Sequence, residues 1–302
     1  MRIALLGLGL IGGSIVRALK EDPARAGAFA DTPLTLVAWL PSDVTAKSDG
    51  DASSVDQVAR TIAEAVDGAS LVVLCMPAMA IPAVLDELVI CRRSGRLLES
   101  AVIMDVASTK RWIIAEASKR GLRFCGSHPM TAVTEIAASE PDAGLFVGSP
   151  WVIVPGPHAG GGPALVERLA TSCGARPIMM EAELYDAAVA AVSHLPLLLS
   201  VALVEAIATG LGSDDADGWG VSHLLASGAW DAVTKLARGS DQVGADILAT
   251  NAREVRRKLT AMRLELERWD ARLIAAENDP AAGSRDIQSR LNLARTYLEE
   301  HG

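Results

Sequence analysis

Two histidines stand where the surrounding apolar pattern would not put them. His128 lies in "GSHPM" (126–130), directly after the apolar run "LRFC", and His194 lies in "SHLP" (193–196), inside a long apolar stretch. A neutral imidazole can accept a proton through one nitrogen while a neighbour fixes the other, so His128 is the candidate general base. Ser108, in "DVASTK" (105–110), could bond the reacting oxygen or orient His128; it reads equally well as the cap of a helix beginning at "TKRWIIAEA". Asp105 and Lys110 in the same stretch also read as structural. Pro196 removes a helical donor and frees the carbonyl near residue 192, so Ser193 and His194 are candidates for holding a ligand. A satisfied buried histidine is the alternative for His194.

A third stretch, "GLGLIGGS" (7–14), follows "IALL" and precedes "IVRALK". Gly7, Gly9 and Gly12 form G-x-G-x-x-G between a strand and a helix pattern. The first glycine suits a tight turn, the second lets backbone approach a pyrophosphate, and the third allows close helix–strand packing. The turn, with Leu8, Leu10 and Ile11, is therefore expected to hold a dinucleotide at a helix N-terminus. Met76 and Pro77, ending "LVVLCMP", fall on the same rim. At the end of the second strand pattern, "VAWLPSD", Leu40 stands where a carboxylate would bind a ribose 2′-hydroxyl. Ser42 could donate to either ribose form, and Lys47 is more distant. The expected cofactor is NAD(P)+, leaning slightly to NADP+.

These groups need a sheet whose strand ends share one rim. "RIALLGLG", "LTLVAWL", "LVVLCMP", "AVIMDVAS", "LRFCGSHPM" and "PWVIVPG" are strand candidates alternating with helical patterns, and "GARPIMME" could add a last one. Their nearly continuous apolar character predicts a parallel α/β sheet covered on both faces, with ligands at its carboxyl edge. After about residue 182 the pattern becomes helical. The expected organisation is a Rossmann-like domain over 1–180 and an all-α domain over 181–302. A long apolar helix interrupted at Pro196, a loop at "GLGSDDADGWG" and two or three further helices are expected. Leu248, Val255, Leu259, Met262, Leu266, Trp269 and Leu273 recur at heptad-like spacing, suiting either helix pairing between chains or an internal packing face. "NDPAAGSRD" (278–286) reads as a polar connection before a last helix.

Composition narrows the classes. The net charge of −9 disfavours a nucleic-acid partner. Cys75, Cys91, Cys125 and Cys173 are widely spaced without clustered histidines, so neither a disulfide framework nor a metal site is expected. No leader pattern and no uninterrupted apolar stretch long enough for a bilayer are evident, which reads as a cytoplasmic chain without a membrane partner.

Taken in order, "GLGLIGGS", "DVASTK", "GSHPM", "AVSHLP" and the weaker "GAWDAVTKLARGS" resemble the prephenate/arogenate dehydrogenase family of tyrosine biosynthesis. The resemblance implies an N-terminal Rossmann domain, a helical dimerisation domain, and a homodimer formed through the C-terminal helices. It also implies NAD(P)-dependent oxidative decarboxylation of a small anionic cyclohexadienyl substrate: prephenate to 4-hydroxyphenylpyruvate, or arogenate to tyrosine. His128 would accept the ring-alcohol proton. The chain departs from the family pattern in three places. Leu197 replaces the last residue of S-H-L-P-H. Lys235 stands for the arginine of T-R-I-A that grips a substrate carboxylate, with Arg238 as a possible compensator. "TAVTE" replaces A-G-T-E, with Glu135 as the matching acid. A 4-amino-4-deoxyprephenate dehydrogenase and a non-catalytic dinucleotide sensor are the alternatives; a β-hydroxyacid dehydrogenase would need a lysine-bearing helix where "SHLP" stands.

Overall fold

The computed structural model describes residues 1–21, 29, 33–41, 54–131, 140–208 and 218–301. Eight strands form one sheet: β1 (Arg2–Leu6), β2 (Thr35–Trp39), β3 (Gln57–Ala59), β4 (Leu71–Leu74), β5 (Val102–Asp105), β6 (Phe124–Pro129), β7 (Pro150–Pro155) and β8 (Arg176–Met179). Their order is β3-β2-β1-β4-β5-β6-β7-β8. The chain reverses at one place: β6 and β7 pair antiparallel, His128 opposite Val152, and every other pair is parallel. The expected parallel sheet is found with this one antiparallel pair as its exception, which the sequence could not show because apolar runs buried on both faces read alike in either direction. Strand β3 escaped the sequence reading because two of its three residues are exposed and leave no apolar run.

Period-two alternation explains how the sheet is covered. In β1, Ala4 and Leu6 join one buried cluster with Ile81, Leu85 and Leu88 of α3 (Ile81–Arg93) and Ile113 of α4 (Arg111–Lys119). Ile3 and Leu5 point to the other face, against Ile15 and Leu19 of α1 (Leu10–Glu21) and Val166 and Leu169 of α5 (Gly162–Ser172). The short α2 (Ile62–Val66) is capped by Thr61, whose side chain accepts from Glu64 N at 3.1 Å. Each fully buried Leu or Ile contributes about 1.5–3 kcal/mol relative to exposure, so the central strands are the most strongly held part of the fold.

Beyond Met179 the described chain is helical: α6 (Ala182–Val189), one π-helical turn (Ala190–His194), α7 (Leu195–Ala208), α8 (Gly218–Leu225), α9 (Gly228–Thr234), a 3₁₀ turn (Lys235–Arg238), α10 (Asp241–Thr250), α11 (Ala252–Asn278) and α12 (Pro280–His301). That is more helices than expected, since α8 to α10 are shorter than the window over which helical periodicity shows. Gly218–Gly220, read as loop, open α8. The polar connection read at 278–286 shrinks to Asp279: its carboxylate caps Ala282 N at 3.0 Å, and Pro280 starts α12 where a missing N–H costs nothing.

Two compact units result, Met1–Ala252 and Arg253–Gly302. In the second, α11 and α12 run antiparallel, with Arg272–Asp286 and Arg290–Glu265 ion pairs along them. Leu266 and Leu273 of the heptad-like seam stay more than half exposed. One sequence expectation about membranes also changes. Ala182–Ala208 forms a continuous helical run of 27 residues, with an 18-residue window of mean hydropathy 2.1, long and apolar enough to cross a membrane by length and composition alone. Pro196 was expected to interrupt this stretch; the π turn absorbs it without ending the helix.

Candidate functional site

At the carboxyl ends of β1, β4, β5 and β6 lies a cavity of about 220 Å³, walled on its helical side by Val243, Asp246 and Ile247 of α10. The glycine turn forms one end. Gly7 has φ +107°, and a Cβ there would meet the Cys75 carbonyl at 2.5 Å. A Cβ on Gly12 would collide with the Gly7 carbonyl, so helix and strand approach through that missing atom. Gly9 faces open space, with nothing within 4 Å of a Cβ. A tight turn, an open second glycine and a following helix N-terminus fit a dinucleotide pyrophosphate.

The opposite wall carries the proton chemistry. His128 ends β6 and Ser108 follows β5; Ser108 Oγ lies 3.2 Å from His128 Nε2. Tyr185 of α6 lies 2.6 Å from His128 Nδ1 and donates to the Ser108 carbonyl at 3.1 Å. Burial, the nearby Lys110 charge and His194 push the His128 pKa down to about 3. The ring is therefore neutral near pH 7, and one nitrogen is free to accept a proton.

Beneath Ser108 the loop is fixed from several directions. Lys110, fully buried, pairs with Asp105 and donates to the Ser127 carbonyl at 2.7 Å. Ser127 N in turn donates to Asp105 at 3.1 Å. Burial drives the Asp105 carboxyl up and the Lys110 ammonium down, and their mutual attraction opposes both shifts. Asp186 caps α4 by accepting from Lys110 N at 2.8 Å and Arg111 N at 3.1 Å. Thr109 and Thr250 hydroxyls bond at 2.9 Å, tying the loop to α10.

On the helical side, His194 is fully buried and burial pushes its pKa down to about 4, an effect that the nearby Ser108 carbonyl offsets only in part. Asn251 Nδ2 donates to the Asp186 carbonyl at 2.8 Å, which fixes the amide, and meets His194 Nδ1 at 3.1 Å. His194 Nδ1 is then the acceptor and Nε2 carries the proton. Among the described residues that Nε2, like Asn251 Oδ1, meets no hydrogen-bond partner. Asp246 accepts from Met79 N at 2.9 Å and Gln242 Nε2 at 2.7 Å, joining α10 to the turn after β4.

The expected site residues divide accordingly. Ser108 and His128 line the cavity with Gly9, Leu10, Ile11, Gly12, Met76 and Pro77. Leu8 is buried in the core, and Leu40 is half-buried at the end of β2 outside the cavity. Ser193 is exposed although its neighbour His194 is buried. Lys235 and Arg238 are exposed and do not line the cavity; Arg238 pairs with Asp231 at 3.2 Å. Leu197 lines a neighbouring apolar cavity of about 310 Å³ that shares Val243 and Ile247 with the first. Ser42, Lys47 and Glu135 lie outside the described residues. Tyr185, Asp186, Asp246 and Asn251 were not singled out from sequence; the available signal for the first two was a polar pair in the apolar helix "ELYDAAVAAV". Among the described residues no group of three or more His, Cys, Asp or Glu side chains is arranged to hold a metal.

Residues 41–179 match the nucleotide-binding domain of prephenate dehydrogenase, and residues 181–281 match its dimerization domain. The chain belongs to the prephenate dehydrogenase family. The first match begins at residue 41, after the glycine turn. A prephenate dehydrogenase of Bacillus subtilis is 26% identical over 256 residues, 82% of this chain and 64% of its own length. The chain thus spans just under two thirds of that family member. A cyclohexadienyl dehydrogenase of Zymomonas mobilis is 27% identical, over 83% of this chain and 80% of its own. Among solved structures, Synechocystis arogenate dehydrogenase is 25% identical with a TM-score of 0.73, covering 98% of this chain and 100% of that one. The A. aeolicus prephenate dehydrogenase in complex with hydroxyphenyl propionate and NAD+ shares the fold, with a TM-score of 0.79 at 19% identity over 99% and 98% of the two chains.

Proposed function

We propose that the chain is an NAD(P)+-dependent dehydrogenase of tyrosine biosynthesis that oxidatively decarboxylates prephenate to 4-hydroxyphenylpyruvate, or arogenate to tyrosine. The observation that carries this reading is the neutral His128, hydrogen-bonded to Ser108, in the same cavity as the glycine turn and across it. Bound NAD(P)+ would supply the hydride acceptor. Gly9, Gly12 and the α1 N-terminus would hold its pyrophosphate, and Met76 and Pro77 would pack beside it. His128 Nε2 takes the ring-hydroxyl proton as hydride leaves the same carbon. The ring carbon–carboxylate bond then breaks, its electron pair enters the ring, carbon dioxide departs, and the phenolate recovers the proton from His128. Ser108 orients the hydroxyl, and His194 Nε2, an unpartnered buried donor, offers a hydrogen bond to the anionic substrate.

The lean toward NADP+ rests on Leu40, which presents no carboxylate to repel a 2′-phosphate. A homodimer is supported by the dimerization-domain match and by Val192, Leu224 and Leu225, each more than 70% exposed in the single chain. A cytoplasmic location accords with the four cysteines, all free. Prephenate, arogenate and 4-amino-4-deoxyprephenate, each offered with NAD+ and with NADP+ and followed by reduced-cofactor absorbance, test the reading. Turnover of prephenate or arogenate is expected; turnover of the amine alone, or of none, overturns it. Light scattering at micromolar concentration should give a dimer mass.

A further inference from the structure

The geometry points to Tyr185 as the positioning residue that fixes the tautomer of His128, leaving the lone pair on Nε2. This rests on His128 being the base of the reaction proposed above. Tyr185 Oη has one proton and two neighbours at bonding distance, the Ser108 carbonyl at 3.1 Å and His128 Nδ1 at 2.6 Å. A carbonyl only accepts. Both contacts are hydrogen bonds at once in a single arrangement: the hydroxyl donates to the carbonyl, and Nδ1–H donates to the phenol oxygen. Nε2 then carries the lone pair and accepts from Ser108 Oγ at 3.2 Å. The reverse arrangement sends the phenol proton to Nδ1, takes the phenol donor from the Ser108 carbonyl, and protonates the nitrogen that must receive the substrate proton.

The placement of Tyr185 is itself overdetermined. Its ring belongs to the buried cluster beneath the sheet, and burial together with Asp186 and Asp105 holds its hydroxyl protonated. The next residue, Asp186, clamps the N-terminus of α4 through Lys110 N and Arg111 N. Tyr185 and Asp186 thus grip two points of the same loop that carries Ser108, so base, hydroxyl and phenol move as one unit.

The test is two-bond proton–nitrogen NMR of the His128 ring in the full chain near pH 7, identified by its loss in His128→Asn. The wild type should be protonated at Nδ1 and bare at Nε2. Tyr185→Phe, which keeps the ring packing, should lose that preference and populate Nε2–H. With whichever cyclohexadienyl acid the wild type turns over, its kcat should fall about tenfold, the scale of one neutral hydrogen bond, with KM within about twofold. Ser108→Ala should retain the Nδ1–H form. A wild type protonated at Nε2, or a Tyr185→Phe variant with unchanged tautomer and kcat, overturns the assignment. A wild type that turns over none of the acids overturns the proposed reaction, while the tautomer result still decides the role of Tyr185.

Discussion

Near His128 the protein buries two polar clusters, and only one of them is complete. On the sheet side, Lys110, Asp105 and Ser127 satisfy one another through an ion pair and three hydrogen bonds: Lys110 to the Ser127 carbonyl, Ser127 N to Asp105, and Ser127 Oγ to the Asp105 carbonyl at 2.7 Å. On the helical side, His194 Nε2 and Asn251 Oδ1 lack partners among the described residues in an equally buried setting. Leaving a buried donor unsatisfied costs about 1–3 kcal/mol, a penalty that a purely structural cluster has no reason to carry. The complete cluster is a frame for the strand ends, and the incomplete one is where a ligand's polar atoms would be met. Removing parts of each should therefore have opposite signatures, one in stability and the other in binding.

The largest effect is expected from the frame. Lys110→Met leaves Asp105 as an uncompensated buried group and should destabilise by about 3–5 kcal/mol in urea denaturation. Adding Asp105→Asn should recover much of that loss, because the uncompensated charge goes with it; a single variant as stable as the wild type would show that the pair does not frame the site. His128→Asn should instead lower kcat by roughly 100-fold or more, the scale of a lost general base, with the denaturation midpoint and cofactor affinity nearly unchanged. Retained turnover would remove His128 from the chemistry. Smaller still, His194→Asn keeps an acceptor near the Nδ1 position for Asn251 Nδ2 and removes the orphan Nε2 donor. It should cost less than about 1 kcal/mol of stability, while kcat/KM falls roughly tenfold. A stability loss matching that of Lys110→Met would erase the distinction between the clusters.

The same contrast governs what could be read from sequence. The glycine turn, Ser108 and His128 sit at strand ends, and a strand's position in an α/β sheet assigns its end to the ligand rim without knowledge of any side chain. His194 was legible as a polar ring in an apolar helix. Its neighbour Ser193 was not separable from it, because a π turn changes which face each residue presents. Tyr185 and Asp186 meet their partners 57 and 76 residues away in the chain. Such contacts depend on how α6 docks on the sheet, and no periodicity encodes that. Lys235 and Arg238 stand differently: a family resemblance carried them forward, and in the single chain they lie exposed after α9, outside the cavity.

The last prediction is an absence. His128 is held at about 3 and His194 at about 4, against an ordinary value of 6.5 for each. Each group is lowered in the folded state, so the unfolded chain takes up protons first as pH falls. Stability from these rings is present above pH 6.5 and is lost progressively toward pH 3 to 4. Activity should behave otherwise over the same interval. Facing His128 are the Lys110 ammonium, which disfavours a second positive charge, Tyr185, and His194, itself neutral; Asp105 and Asp186 are engaged with Lys110 and with the α4 N-terminus. With the base already deprotonated, kcat/KM should show no acid limb between about pH 5 and 8, since that profile reports the free enzyme's ionisations. An acid limb near pH 6.5 that disappears in His128→Asn would mean that the ring titrates as in water, and that the cavity does not desolvate its base.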